Sequence, residues 1–176
     1  MGSMRERWKK QYGKIIVLSI LSILFSLGIY AAFFGKIIYS NTTHSDTKGL
    51  YIRTLDQHLS YGDHVVLSGA YAPRPQLKLL KRVMGFPGDR FTVTGDTLWI
   101  RGIPYPIMDD PRIPHLKLGD YIVPEGTLMC LNPAPDSFDS RYLGPLPINK
   151  VEDRVALVFS YEEIGSFLDV IFPRRS

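Results

Sequence analysis

The run Ile15 to Phe34, IIVLSILSILFSLGIYAAFF, holds twenty residues without a single charge. As a helix rising 1.5 Å per residue it spans about 30 Å, the thickness of a bilayer's hydrocarbon core. Ser19, Ser22, Ser26 and Gly28 are tolerable inside such a helix. A cleaved secretory signal is the rival reading, because the preceding tail is basic and Ala31 and Ala32 are small. The apolar core of a signal is shorter, about 7–15 residues, so a retained anchor fits better. Arg5, Arg7, Lys9, Lys10 and Lys14 precede the span and Lys36 alone follows it closely. That asymmetry puts the N-terminus in the cytoplasm and the rest of the chain outside, in the periplasm or its equivalent. Met1-Gly2-Ser3 ahead of Met4 reads as an expression scar. The expected organisation is a basic tail (1–14), a membrane helix (15–35) and an extracytoplasmic domain (36–176).

Charge narrows the partners. The net charge of +4 resides wholly in the tail, where five basic residues face Glu6; everything after residue 14 balances. A pI near 9.2 therefore reports the tail and implies no nucleic-acid partner. With 45% hydrophobic and 12% aromatic residues, the chain is a folding sequence and not a disordered one. Cys130 is the only cysteine, so no intrachain disulfide forms; in Leu128-Met129-Cys130-Leu131 it reads as a small buried hydrophobe.

After Lys36 the pattern becomes short β-rich runs punctuated by Gly, Pro and Asp, with no long segment of helical period. Strands are expected at Gly49–Arg53, His64–Ser68, Leu77–Met84, Arg90–Thr94, Thr97–Arg101, Gly119–Ile122, Thr127–Leu131 and Val155–Phe159. Thr94-Gly95-Asp96-Thr97 reads as a tight hairpin turn. Residues 102–118, with Pro104, Pro106, Pro111 and Pro114, read as a loop or small subdomain. The apolar C-terminal stretch Phe167–Pro173 suits a bilayer contact, a partner or the core. The fold class is thus an all-β soluble domain on one N-terminal transmembrane helix.

One strand carries a chemical anomaly. Alternation puts Leu77, Leu79, Lys81, Val83 and Gly85 on one face, apolar except for the lysine. An ammonium among aliphatic groups loses hydration, its pKa falls, and a neutral amine becomes available as a general base. Taken alone, such a lysine more often snorkels or marks a sheet edge. Gly85-Phe86-Pro87-Gly88-Asp89 then stops the strand sharply. A lysine base needs a nucleophile, and Asn41-Thr42-Thr43-His44-Ser45-Asp46-Thr47-Lys48-Gly49 offers hydroxyls among turn residues, though this composition also suits a solvated linker. Ser45 lies within roughly 36–40 Å of the helix's end at full extension, close to the membrane surface.

Four stretches in order carry a resemblance to the type I signal peptidases, and more closely to their short conjugal-transfer branch, the TraF-type pilin peptidases. Thr43-His44-Ser45-Asp46-Thr47-Lys48-Gly49-Leu50-Tyr51 is similar to the nucleophile box, with the Gly-x-Tyr tail of the short branch; Asp46-Thr47 departs from it, a proline being common where Thr47 stands. Gly62-Asp63-His64-Val65-Val66 resembles the strand that follows. Lys81-Arg82-Val83-Met84-Gly85-Phe86-Pro87-Gly88-Asp89 matches the base box and is the most specific of the four. Asp136-Ser137-Phe138-Asp139-Ser140-Arg141-Tyr142-Leu143-Gly144 resembles the last box, while the preceding Gly-Asp-Asn-Arg-Asp of the larger enzymes is replaced by Asn132-Pro133-Ala134-Pro135-Asp136.

The resemblance implies signal-peptidase-like antiparallel sheets and a serine endopeptidase of Ser-Lys dyad type, with no metal and no cofactor. Ser45 would be the nucleophile and Lys81 its general base. The Ser45 backbone N–H and the Thr43 hydroxyl would hold the oxyanion. Ser137 would orient the lysine, and Asp139 and Arg141 would form a supporting ion pair. In the cyclising branch an aspartate at the position of Asp139 also serves product formation. The implied substrate is a signal or leader peptide on an exported precursor, a conjugative pilin precursor in the short branch, cleaved at the bacterial cytoplasmic membrane with the catalytic domain outside. Hydrolysis and cyclisation both stay open, as does the oligomeric state.

Rivals are a general signal peptidase I, a self-cleaving repressor-like protease (disfavoured by the span), a Ser-His-Asp enzyme using His44, His58, His64 or His115, and a catalytically silent membrane-tethered β module of an export or conjugation machine. Asn41-Thr42-Thr43 also fits a glycosylation sequon, a signal common by chance.

Overall fold

A computed structural model of the chain describes residues 4–34, 37–70 and 76–171. The chain divides into two units, Met1–Ile37 and Ile38–Ser176. The first is the helix α1 (Met4–Phe34). Its stretch Gln11–Ala32 is long and apolar enough to cross a membrane. The helix continues back through the basic tail, because Arg, Lys, Glu and Gln are good helix formers and no proline interrupts them. Lys36 and the end of the C-terminal apolar stretch, Phe172 and Pro173, lie outside the described residues.

The second unit is mostly antiparallel β-sheet. Its strands are β1 (Ile38–Asn41), β2 (Gly49–Arg53), β3 (His64–Ser68), β4 (Lys78–Gly85), β5 (Arg90–Thr94), β6 (Thr97–Ile100), β7 (Ile103–Pro106), β8 (Gly119–Ile122), β9 (Thr127–Leu131), β10 (Leu146–Pro147) and β11 (Val151–Ser160). One sheet has the order β1-β2-β11-β3-β4-β9-β10 and the other β7-β6-β5-β8. The last strand thus inserts between β2 and β3, closing the larger sheet over its earliest strands.

β9 explains how the two sheets share a core. Its sequence Thr-Leu-Met-Cys-Leu lacks polar alternation, as expected of a strand covered on both faces. Leu128 and Cys130 pack with Val65, Leu67, Val83 and Leu146. Met129 and Leu131, pointing the other way, pack with Phe91, Val93, Leu98, Ile100 and Tyr105 of the smaller sheet. Cys130 is fully buried, and burial pushes its thiol up to about 12. A third cluster, Tyr39, Tyr51, Val66 and Val155, fills the other end of the larger sheet.

β4 runs one residue later than Leu77–Met84 and ends in a register shift between Val83 and Gly85. A Cβ at Gly85 would sit 2.5 Å from Ile100 Cδ1 and 3.1 Å from Met129 Cβ, so any larger residue would have to displace side chains where the strand meets the second sheet. In the following turn the Asp89 N–H bonds the Phe86 carbonyl at 3.0 Å and Gly88 takes φ +89°. Pro87 and Gly88 thereby occupy the central positions of a type II turn. The hairpin at Gly95-Asp96 forms between Thr94 and Thr97 as the residues indicate.

Differences from expectation have local causes. β7 falls inside the proline-rich stretch, because Pro104 and Pro106 are acceptable on the outer strand of the smaller sheet. A helix α3 (Tyr161–Ile171) follows β11, although the sequence shows no long helical period. Ser160 and Glu163 set it up: the Glu163 N–H bonds Ser160 Oγ at 3.1 Å and the Ser160 N–H bonds Glu163 Oε2 at 2.9 Å, a reciprocal cap.

Candidate active site

Asn41 pairs with Gly49 across β1 and β2, so Thr42–Lys48 forms the loop of that hairpin. The loop is knotted from within by Asn41, which is 7% exposed. Its Nδ2 donates to the carbonyls of Thr43, Asp46 and Thr47 at 3.2, 3.2 and 3.1 Å. Its Oδ1 accepts from the Thr43 hydroxyl at 2.8 Å and from the Thr43 N–H at 3.2 Å. An amide so engaged in a closed loop is a structural group and a poor glycosylation acceptor.

Ser45 stands at the crown of this loop, its Oγ 3.0 Å from Thr43 Oγ1. Since the Thr43 proton goes to Asn41, Ser45 is the donor of that pair. Thr43 therefore has no free proton for an oxyanion until its hydroxyl turns. A second donor also faces the serine: Asn132 Nδ2 lies 3.4 Å from Ser45 Oγ.

Lys81 comes from β4, opposite Val65, and is 4% exposed. Its Nζ donates to Ser137 Oγ at 2.7 Å. Burial pulls the lysine below its ordinary value; the Asp139 carboxylate opposes this, Arg141 adds to it, and Asp46 opposes it more weakly. Ser45 and Lys81 line one cavity of about 360 Å³ with Thr43, His44, Leu79 and Ser137. Among the described residues no hydrogen bond joins the serine to the lysine. A larger cavity of about 520 Å³, near Ile107, Met108 and His115, has none of these residues in its wall.

Behind Ser137 the chain turns through Asp139 into the short helix α2 (Ser140–Leu143), Asp139 serving as its N-cap. Arg141 clasps the Asp139 carboxylate with two bonds, Nε to Oδ1 at 2.9 Å and Nη2 to Oδ2 at 2.8 Å. Both side chains are fully buried. Arg141 also reaches the carbonyls of Asn132 at 2.6 Å and Pro106 at 3.1 Å, so each guanidinium nitrogen meets oxygen. His44, by contrast, bonds Asp136 through Nε2 near the surface.

Two residues had no expected role in the site, Asn41 and Asn132. Asn41 heads the hydroxyl-bearing stretch and Asn132 the segment before the last box, but only the pairing of β1 with β2 and of β4 with β9 brings them to Ser45.

Residues 9–160 match the sequence profile of the family described as signal peptidase, peptidase S26. The chain belongs to this family. Signal peptidases of the family are serine peptidases that act on exported precursors, and the apolar helix α1 accords with a membrane-anchored member. No curated protein matches the chain. Among solved structures it is similar to a signal peptidase I from Enterococcus faecalis V583, with 24% identity over 56% of this chain and 97% of that one and a TM-score of 0.39.

Proposed function

We propose that the chain is a membrane-anchored endopeptidase of Ser-Lys dyad type that removes the leader from an exported precursor. The observation that carries this reading is the buried Lys81 amine, held on Ser137 Oγ at 2.7 Å in the cavity that Ser45 lines. In the reaction Ser45 Oγ attacks the scissile carbonyl as its proton passes to neutral Lys81. The tetrahedral oxyanion accepts hydrogen bonds from the Ser45 N–H and from the Thr43 hydroxyl, once that hydroxyl has turned from Asn41. The C–N bond breaks, Lys81 returns the proton to the leaving amine, and an acyl-enzyme on Ser45 remains. Water, activated by the same lysine, then releases the acyl group. Asp139 and Arg141 support the loop that presents Ser137.

The membrane is the bacterial cytoplasmic membrane, with the N-terminus inside and the β unit outside, as the basic tail directs. The substrate class is a conjugative pilin precursor. The Gly49-Leu50-Tyr51 tail of the nucleophile box supports this over a general signal peptidase I. In that branch the cut that matters lies near the precursor's C-terminus: the segment beyond it leaves as the amine, the mature chain's own carbonyl stays on Ser45, and its N-terminal amine in place of water closes the chain, giving a circular product lighter by one water than the linear one.

Co-expression with a pilin precursor, followed by mass spectrometry, tests both levels. The parent chain is expected to remove the leader and Ser45→Ala to leave the precursor whole. Processing by Ser45→Ala with an unaltered fold would remove the dyad and favour a non-catalytic β module.

A further inference from the structure

The residue after the proposed nucleophile and the residue after the proposed base are bound to each other. Arg82 Nε donates to Asp46 Oδ2 at 2.8 Å and Arg82 Nη2 to Asp46 Oδ1 at 2.5 Å, a two-pronged clasp. The Asp46 side chain is 1% exposed. A third group closes on it: His64 Nε2 is 3.2 Å from Asp46 Oδ2 yet, buried as it is, makes no aligned hydrogen bond. His64 and Arg82 are register partners on β3 and β4, so they present to Asp46 from one face of the sheet, while Lys81 and Val65 point to the other. The Thr47 N–H completes the cluster by bonding Asp46 Oδ1 at 2.6 Å.

We infer that the Asp46–Arg82 pair, backed by His64, is a positioning device that fixes the Ser45 loop in register against the Lys81 strand. The inference rests on the Ser45/Lys81 reading above. Its geometry explains a departure from the family pattern: Asp46 replaces nothing in the chemistry, but its carboxylate pins the loop one residue beyond the serine to the strand one residue beyond the lysine. A rigid loop on one side and a β-strand on the other leave the nucleophile–base separation with little freedom. A misplacement of about 1 Å at such a site costs on the order of 100-fold in rate.

The pair also bears on the base electrostatically. The groups acting on Lys81 are Asp139 and Arg141 behind Ser137, Asp46 on the serine loop and Cys130 on β9. Asp46 favours the ammonium. Replacing it by asparagine removes that charge and leaves the Arg82 cation uncompensated, and both changes move Lys81 toward the neutral amine.

The test uses the full chain in detergent micelles and a synthetic precursor peptide with alanine three residues and one residue before the cut. Asp46→Asn is expected to lower kcat about 10- to 100-fold, with KM within about twofold, and to move the acid limb of the kcat profile to lower pH. Arg82→Lys, which keeps the charge but cannot clasp, should lie between the parent and Asp46→Asn. The double exchange Asp46→Arg with Arg82→Asp should recover part of the loss. Turnover unchanged in Asp46→Asn and Arg82→Lys would overturn the inference. So would a loss that tracks only the folded fraction by circular dichroism, with the acid limb unmoved. Ser45→Ala and Lys81→Ala run in parallel: if either retains turnover, the dyad reading itself fails, whereas dead dyad variants beside a fully active Asp46→Asn reject the positioning role alone.

Discussion

Lys81 Nζ donates a 2.7 Å hydrogen bond to Ser137 Oγ, and both residues are buried, at 4% and 1% exposure. An ammonium carries three donors and in water satisfies all of them. Among the described residues one acceptor is supplied, Ser137 Oγ. The site therefore penalises the ammonium relative to water, the direction that the proposed base needs.

Lys81→Arg should abolish turnover, because a guanidinium stays protonated and cannot accept the Ser45 proton. Lys81→Met should abolish it as well, but with the opposite effect on stability from most core substitutions. The sign follows from linkage. The folded-state pKa of Lys81 lies below its ordinary value of 10.5. Between those two values the unfolded chain binds more protons, so stability rises with pH across that window and is lowest beneath it. Methionine removes the dependence and should raise stability by about 1 kcal/mol at neutral pH. Thermal unfolding of the two proteins at several pH values checks this. For the parent, kcat/KM should climb with pH through the depressed lysine value and then level; a profile flat from acid to alkaline pH would remove Lys81 as base.

Ser137→Ala deletes the acceptor that aims the amine and little else. We expect a fall in kcat of about 10- to 100-fold with KM nearly unchanged, while Ser137→Thr, keeping a hydroxyl, retains the greater part of the rate. Steady-state kinetics on a precursor peptide separate the two. Equal activity of Ser137→Ala and the parent would show that packing alone orients the lysine.

Arg141→Ala is a stability prediction. The Asp139–Arg141 pair is completely buried, unlike an exposed pair worth under about 1 kcal/mol. Removing the cation strands the Asp139 carboxylate and two carbonyls, so the expected loss is about 3–5 kcal/mol. Denaturant unfolding in micelles measures it, and a loss below about 1 kcal/mol would mean that water replaces the guanidinium readily.

The sequence announces the residues that must be particular side chains at particular spacings. Lys81, Ser137, Asp139 and Arg141 stand in boxes, and the strand faces of β4 follow from simple alternation. It does not announce residues whose work is to bond backbone. Asn41 and Asn132 look like ordinary turn formers, and only the fold supplies the carbonyls and N–H groups they satisfy. Asp46 reads as a mere departure from the nucleophile box until Arg82 and His64 are seen to converge on it. The proline-rich stretch conceals β7 because outer strands accept proline. α3 is short, and its signal is the Ser160-x-x-Glu163 cap more than its periodicity.

Asn132 is the strongest test of how far backbone support reaches the chemistry. It is fully buried. Its Oδ1 accepts from the Arg82 N–H at 3.1 Å and its Nδ2 donates to the Leu80 carbonyl at 3.0 Å, gripping the strand on both sides of Lys81. Its own N–H bonds Asp139 Oδ2 at 3.0 Å, and its carbonyl takes Arg141 Nη2. With Nδ2 also 3.4 Å from Ser45 Oγ, one residue touches the Lys81 strand, the Asp139–Arg141 pair and Ser45. Asn132→Ala should cost about 1–3 kcal/mol by stranding a buried carbonyl and N–H, with kcat falling as well. Asn132→Asp preserves shape but turns a donor into an acceptor and adds a negative charge near Lys81. That charge favours the ammonium, so the acid limb of the kcat profile should move to higher pH, opposite to the shift expected for Asp46→Asn. If both variants retain the parent's kcat and pH profile while losing only stability, Asn132 holds the sheet and has no influence on the lysine.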